Sequence, residues 1–292
     1  MSVLGADDIS DAITSGRFHT QRFFKNAGST GDAHWQDWSF ASGQPAYDAR
    51  IGDALAFTPF VATRNDAIYF PPIAAGEERH LLGLRTYTTA SGNDQTSVDF
   101  QMYDLLGVYP LIDGDNTDLQ EMDNTATLPR YTDGIGVRAI LVNHVAPGVT
   151  AGCATTINYV DSNDTARSIT VYTTTYGAAK SCASMQTTGA STGLLYLPTD
   201  GPGIKSITDV TFATAPGGLW AIYLVRPINQ GLSNQGGLAG VNQTVMTEKC
   251  LCATESFFLP RIYDGAWLGF FYMPTGGSRT VSIFGTASFI WK

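Results

Sequence analysis

The stretch FFLPRIYDGAWLGFFYMPTGGSRTVSIFGTASFIWK, residues 257–292, contains two apolar runs and one alternating run, separated by turn residues. Residues 257–263 and 266–273 flank Asp264-Gly265, a dipeptide favoured in the two-residue type I′ hairpin because both central positions of that turn require positive φ. Beyond 274–278, Val281, Ile283, Phe289 and Trp291 share one face, with the small Gly285 and Ala287 between them. A period of two with apolar residues on one side is the pattern of a strand packed on a core. The C-terminus therefore reads as three strands, all of them structural.

The same texture extends back through the chain. Strand-like runs recur at 54–62, 81–89, 97–103, 137–145, 155–160, 168–176, 204–213 and 219–225, with Gly, Pro, Asn and Asp between them. Thr is abundant, and as a β-branched residue it suits a pleated, half-buried surface. The 31 glycines and 13 prolines supply turns and interrupt helices. The only helical signal of note spans 6–13, behind Asp7 and Asp8. Many short strands with almost no helix predict an all-β protein, a β-sandwich of jelly-roll type. Residues 51–292 are expected to form the sandwich, and a subdivision near 135–150 stays open.

Residues 1–50 read differently. Phe18, Phe23, Phe24, Trp35, Trp38 and Phe40 follow a period of neither 2 nor 3.6, which suggests an irregular N-terminal arm anchored on a surface. That surface belongs either to the chain's own sandwich or to a neighbouring subunit. In the second case Phe18, Phe23, Phe24, Trp35 and Trp38 are interface residues, and removing residues 1–40 would leave the sandwich folded. The Gly-, Ser- and Asn-rich segment 231–240 is expected to be a flexible loop and a second contact element.

Charge narrows the function classes. Only 15% of residues are charged, against about 25% in typical soluble domains, and the net charge is −9. A general electrostatic grip on phosphate backbones is disfavoured, so direct nucleic-acid binding is not expected. The acidity is concentrated in 91–133, where Asp94, Asp99, Asp104, Asp113, Asp115, Asp118, Glu121, Asp123 and Asp133 face one base, Arg130. No run of 18 apolar residues occurs and the N-terminus lacks a secretory pattern, so no membrane partner is expected and synthesis in a cytoplasm is the simplest reading. Cys153, Cys182, Cys250 and Cys252 are too few for a disulfide scaffold of this length and are read as free thiols.

Motifs for catalysis do not emerge. His19, His34, His80 and His144 lie apart, without metal-ligand spacing. Neither a nucleophile elbow nor a phosphate-binding loop is present. The run Asp113-Gly114-Asp115-Asn116-Thr117-Asp118 resembles a calcium loop in its density of oxygen ligands. An EF-hand starting at Asp113 needs Gly at its sixth position and Glu at its twelfth, and the chain offers Asp118 and Asn124. Asp113, Asp115 and Asp118 remain the weak metal candidates. The chain is read as a non-enzyme without cofactors.

One segment carries a resemblance. Tyr103-Asp104-Leu105-Leu106-Gly107-Val108-Tyr109-Pro110-Leu111-Ile112-Asp113-Gly114-Asp115, with Asp123-Asn124-Thr125 and Leu128-Pro129-Arg130-Tyr131-Thr132-Asp133-Gly134, resembles a stretch of tailed-phage virion structural proteins. The resemblance implies a structural role in a virion. Because no segment has the period and length of the spine helix of a tailed-phage shell protein, the expectation is a decoration or cement protein of the capsid. Its partners would be the major capsid protein or other virion proteins, and its own state a homotrimer. A tail or receptor-binding protein that recognises a host-surface glycan is the alternative, distinguished by an exposed aromatic cluster in a groove.

Overall fold

In the computed structural model the described residues are 6–30, 35–46, 52–63, 67–90, 96–145, 153–174, 184–186, 196–198, 201–236, 249–251, 259–275 and 279–292. In chain order they form α1 (Ala6–Thr14), β1 (Phe18–Thr30), β2 (Gln36–Asp37), a 3-10 turn (Trp38–Phe40), β3 (Ser42–Gln44), β4 (Thr58–Pro59), β5 (Arg79–Ala90), β6 (Thr96–Asp113), β7 (Gln120–Glu121) and β8 (Arg138–Val145). There follow β9 (Cys153–Asp161), β10 (Ala166–Thr174), β11 (Ser184–Gln186), β12 (Ile204–Phe212), β13 (Leu219–Gly236), β14 (Lys249–Leu251), β15 (Arg261–Ile262), β16 (Trp267–Thr275) and β17 (Arg279–Trp291). The all-β expectation holds, with one short helix where the acidic first turn placed it.

Three antiparallel sheets make a layered sandwich. The central sheet runs β2-β16-β6-β13-β8, with β4 also on β6. A terminal sheet, β14-β5-β17-β1-β3 with β15 on β5, holds strands from both ends of the chain; a smaller one runs β11-β10-β9-β12-β7. Alternation along the central strands explains how one sheet serves two cores. On one face, Phe100 and Met102 of β6 and Leu268, Phe270 and Tyr272 of β16 pack against Phe23, Leu84, Ile283 and Phe289 of the terminal sheet. Farther along that face, Leu106, Tyr109, Leu141, Ile222 and Leu224 meet Ile157, Val171, Ile207, Val210 and Phe212 of the small sheet. The opposite face carries Tyr103, Leu105, Val108, Ile140, Val142, Tyr223, Trp267 and Phe271, packed with Trp35, Ala67 and Tyr196 from outside the strands.

The long strand β6 bulges between Tyr109 and Ile112, within the core it shares with the small sheet. Its register with β13 shifts between Trp220 and Ile222, and Leu111 takes φ 59° there. A bulge is a position where a strand tolerates proline, which accounts for Pro110, whose carbonyl accepts from Leu55 N–H at 2.9 Å. In β9, by contrast, strict alternation buries Cys153, Thr155, Ile157, Tyr159 and Asp161.

Several expectations are corrected. The Asp264-Gly265 turn forms, with Ala266 N–H donating to Tyr263 O at 3.1 Å, but of its two central residues only Gly265 has positive φ, 70°. It is a corner between sheets rather than a type I′ hairpin, because β15 pairs with β5 while β16 pairs with β6. The carboxylate of Asp264 is held by Arg79, whose Nη1 lies 2.9 Å away. The run 54–62 yields only the two-residue β4. Residues 231–236, expected in a loop, extend β13 and pair with β6 as far as Gly236↔Thr96; 237–240 lie outside the described residues.

The N-terminal segment is not an irregular arm where it is described. β1 pairs with β17 from Phe18↔Ile290 to Thr30↔Arg279 and with β3 on its other side. Phe23 and Trp38 meet edge to face with ring centroids 5.5 Å apart, and Trp38 meets Phe270 at 4.7 Å and 87°. Trp38 is fully buried. The boundary expected at residue 50 thus crosses one packed core. Likewise, β8 ends and β9 begins around the subdivision considered near 135–150, yet both contribute to the same core.

Candidate functional site

The three weak metal candidates sit at one end of the central sheet, Asp113 as the last residue of β6 and Asp115 and Asp118 in the turns after it. Asp115 N–H donates to Asp113 Oδ1 at 2.9 Å, and Asp118 N–H to Asn116 Oδ1 at 2.9 Å. These are the side-chain-to-backbone bonds that Asp and Asn make in turns. Gln120 closes the loop: its Oε1 accepts from Asp113 N–H and its Nε2 donates to Asp113 O, both at 2.9 Å. Asp113, Asp115 and Asp118 are all exposed. No group of three or more His, Cys, Asp or Glu suited to a metal ion converges among the described residues. The stretch is a set of turns with an acidic rim.

Of the five aromatic interface candidates, Phe23, Trp35 and Trp38 lie in this chain's own cores. Phe18 and Phe24 remain, 39% and 45% exposed. They point to the outer face of the terminal sheet because successive β1 residues alternate and Phe23 faces inward. Register then gathers residues distant in sequence: Phe24 lies opposite Phe284, and Phe284 opposite Tyr87, giving one row across three strands. The rings of Tyr87 and Phe284 stack with centroids 5.5 Å apart and planes 13° from parallel. The neighbouring row, two residues along, is Arg22, Thr286 and Arg85. Arg22, Phe24, Tyr87, Phe284 and Thr286, together with Gln21 and Gln44, line an open groove of about 540 Å³.

Tyr87, Phe284, Arg22 and Arg85 were not singled out from sequence. A signal for one of them existed, since assigning Ile283 and Phe289 inward leaves Phe284 as a large aromatic on the outward side. The partner strands that bring the other three beside it were not readable.

The remaining ionisable groups of note are structural. Burial pushes the Asp104 carboxyl up, against the downward pull of Arg130 and of the Trp267 N–H. His144 Nε2 lies 2.9 Å from Tyr223 Oη, a satisfied histidine at the edge of the third core. A smaller hollow of about 270 Å³ beside Asp161 and Arg167 is bordered by their own ion pair at 3.0 Å.

No family model matches this chain, and no curated protein sequence matches it. Among solved structures, the infectious bursal disease virus Gt strain aligns over 94% of this chain and 80% of that chain, with 10% identity and a TM-score of 0.21. T=1 particles derived from infectious bursal virus align over 94% and 77%, with 11% identity and a TM-score of 0.21. Superpositions this loose do not define a shared fold, so the β-sandwich assignment rests on the chain's own strands and cores.

Proposed function

We propose that the chain is a structural component of a virus particle, a capsid-associated decoration or cement protein that acts through subunit contacts and is assembled in the host cytoplasm. The observation that carries this reading is where the virion-protein resemblance falls. Tyr103–Asp113 is the bulged inner stretch of β6, the strand that lies in both cores of one face, and Arg130 reaches back to Asp104 on it. The resembling residues are therefore those that set the architecture. What they transfer is a scaffold and its role, with no reactive group among them.

The exposed surface suits such a role. Asp113, Asp115, Asp118, Glu121, Asp123 and Asp133 are all exposed, and a concentrated acidic surface steers a protein toward a basic patch on its partner. The major capsid protein or another virion protein is the partner, and a trimer the assembly unit. Quantitative mass spectrometry of purified particles, referenced to the major shell protein, tests this. Copy numbers comparable with the shell protein, lost on washing at high salt, are expected. A handful of copies would move the protein to the tail or a vertex, and absence from the particle would overturn the reading.

A further inference from the structure

We propose that the surface around Ile135 is a two-fold contact with a second copy of this chain, in which the two Ile135 side chains meet at the axis and Asp133 of each copy pairs with Arg226 of the other. A three-fold contact joins two different surfaces, whereas a two-fold contact sets one surface against itself. The contact therefore joins assembly units and does not build a trimer. It concerns copies of the chain alone and does not rest on the role in a particle.

Ile135 is 56% exposed, and no large apolar residue among the described ones is more so. Its backbone is fixed: it bridges Gly203, its N–H donates to Asp133 Oδ1 at 3.0 Å, and its carbonyl accepts from Arg226 Nη1 at 3.3 Å. An acid and a base are thus anchored on one exposed apolar residue, the first before its Cα and the second after it. Neither has an ion-pair partner among the described residues, whereas Arg79, Arg130, Arg167 and Arg261 each reach a carboxylate. The other contact of Arg226 is the Tyr131 ring, 5.5 Å from its guanidinium carbon. Tyr263 meets Tyr131 with ring centroids 4.8 Å apart and planes at 70°, and Tyr131 holds φ 50°, a conformation rare for its residue type. Beyond Tyr263, Val61 is as exposed as Ile135 and lies against Gly265, where a Cβ would come within 2.8 Å of Val61 Cγ1. Tyr and Arg are the residue types enriched where protein surfaces meet.

Charge selects the occupant. A patch bearing only acids, such as the rim at Asp113, Asp115 and Asp118, repels its own copy. An acid and a base on either side of an apolar residue match themselves after a half-turn, because each acid then faces the other copy's base. The half-turn forms the pair twice, with the two Ile135 side chains excluding water between the pairs. A purely acidic or purely basic partner would satisfy one of the two charges and oppose the other.

The test uses Ile135→Cys in the full chain. A two-fold axis at residue 135 brings the two Cβ atoms within disulfide reach, so mild oxidation should link position 135 of two copies, identified by mass spectrometry of the joined peptides. Added to that variant, Asp133→Arg or Arg226→Glu alone should cut the yield about tenfold, because like charges then face each other twice. The two reversals together should restore it. Sedimentation of the parent chain should show a mass that rises with concentration, and either single reversal should suppress the rise. No disulfide at position 135 overturns the proposal, as does a yield that the single reversals leave unchanged or that the double reversal fails to restore. Growth in mass without that disulfide assigns the self-contact to another face and overturns it too. Thermal unfolding at the parent midpoint shows that each variant is folded. If a reversal fails that check, the disulfide and the sedimentation of Ile135→Asp decide, and association that this variant leaves unchanged counts against the contact.

Discussion

Asp104 and Arg130 form a buried bidentate ion pair at the junction of two cores. Arg130 Nε donates to Asp104 Oδ2 at 3.0 Å and Nη2 donates to Oδ1 at 2.7 Å. Trp267 N–H donates to Oδ1 at 2.9 Å, while Arg130 also donates to the carbonyls of Phe60 and Leu105. Asp104 lies between Met102, which packs toward the terminal sheet, and Leu106, which packs toward the small one. A charge there is tolerable because nearly every polar atom of the pair has a partner.

Breaking this pair on one side should be severe. Arg130→Leu leaves a carboxylate uncompensated in a buried site and should lower stability by about 3–5 kcal/mol. The double variant Asp104→Leu with Arg130→Leu removes both charges and should recover part of that loss. Urea unfolding of the two single variants and the double variant measures the coupling. Additive losses would mean that the two groups do not act as a pair.

Tyr109 ties the central sheet to the small one through its hydroxyl. It donates to Asn124 Oδ1 at 2.6 Å and accepts from Ile207 N–H at 3.0 Å, while Asn124 Nδ2 donates to Ile207 O at 2.8 Å. Tyr109→Phe conserves the ring but leaves a buried N–H without its acceptor. A loss of about 1–3 kcal/mol is expected, read as a shift of the denaturant midpoint at unchanged slope. A shift in the slope would instead indicate an altered native or denatured ensemble.

What sequence made legible was local. The alternation in 281–291 placed Ile283 and Phe289 inward, and the Gly- and Pro-punctuated runs located β5, β8, β9, β10 and β12 within a few residues. Pairing was not legible, because a strand's own residues do not name its neighbour. Asp264-Gly265 has the composition of a hairpin turn, yet β5 competes successfully for β15. Phe23 and Trp38 looked aperiodic because one is in a strand and the other in a 3-10 turn, so their common core is a tertiary fact. The groove was hidden for the same reason: Phe24, Tyr87 and Phe284 are neighbours only through the register of three strands.

The place of β1 reverses the expectation for truncation. Deleting residues 1–40 removes β1, which lies between β17 and β3, together with Phe23 and Trp38 from the core. Losing even one large buried aromatic costs about 3–5 kcal/mol, a large share of the 5–15 kcal/mol typical of a whole domain. The truncated chain should fail to give a cooperative thermal transition by circular dichroism. A sharp transition near that of the full chain would restore the detachable arm.

Asp161 gives a pH dependence whose sign follows from its surroundings. It sits at the turn between β9 and β10, where Thr165 N–H and Asn163 N–H donate to Oδ1 at 3.0 and 2.8 Å and Arg167 Nε donates to Oδ2 at 3.0 Å. The Thr165 N–H first, with Arg167 and Asn163, holds the carboxyl below its ordinary value. Arg167 is more than half exposed, so solvent screens its part. A carboxyl depressed in the folded state binds protons more readily when unfolded, so its stabilisation is complete above the unfolded value of about 3.9 and disappears as pH falls through the folded one. Asp161→Asn keeps a side-chain oxygen for the turn but does not titrate. Thermal midpoints of the parent chain should therefore fall more steeply than those of the variant below about pH 4, and parallel curves would remove Asp161 from the acid response.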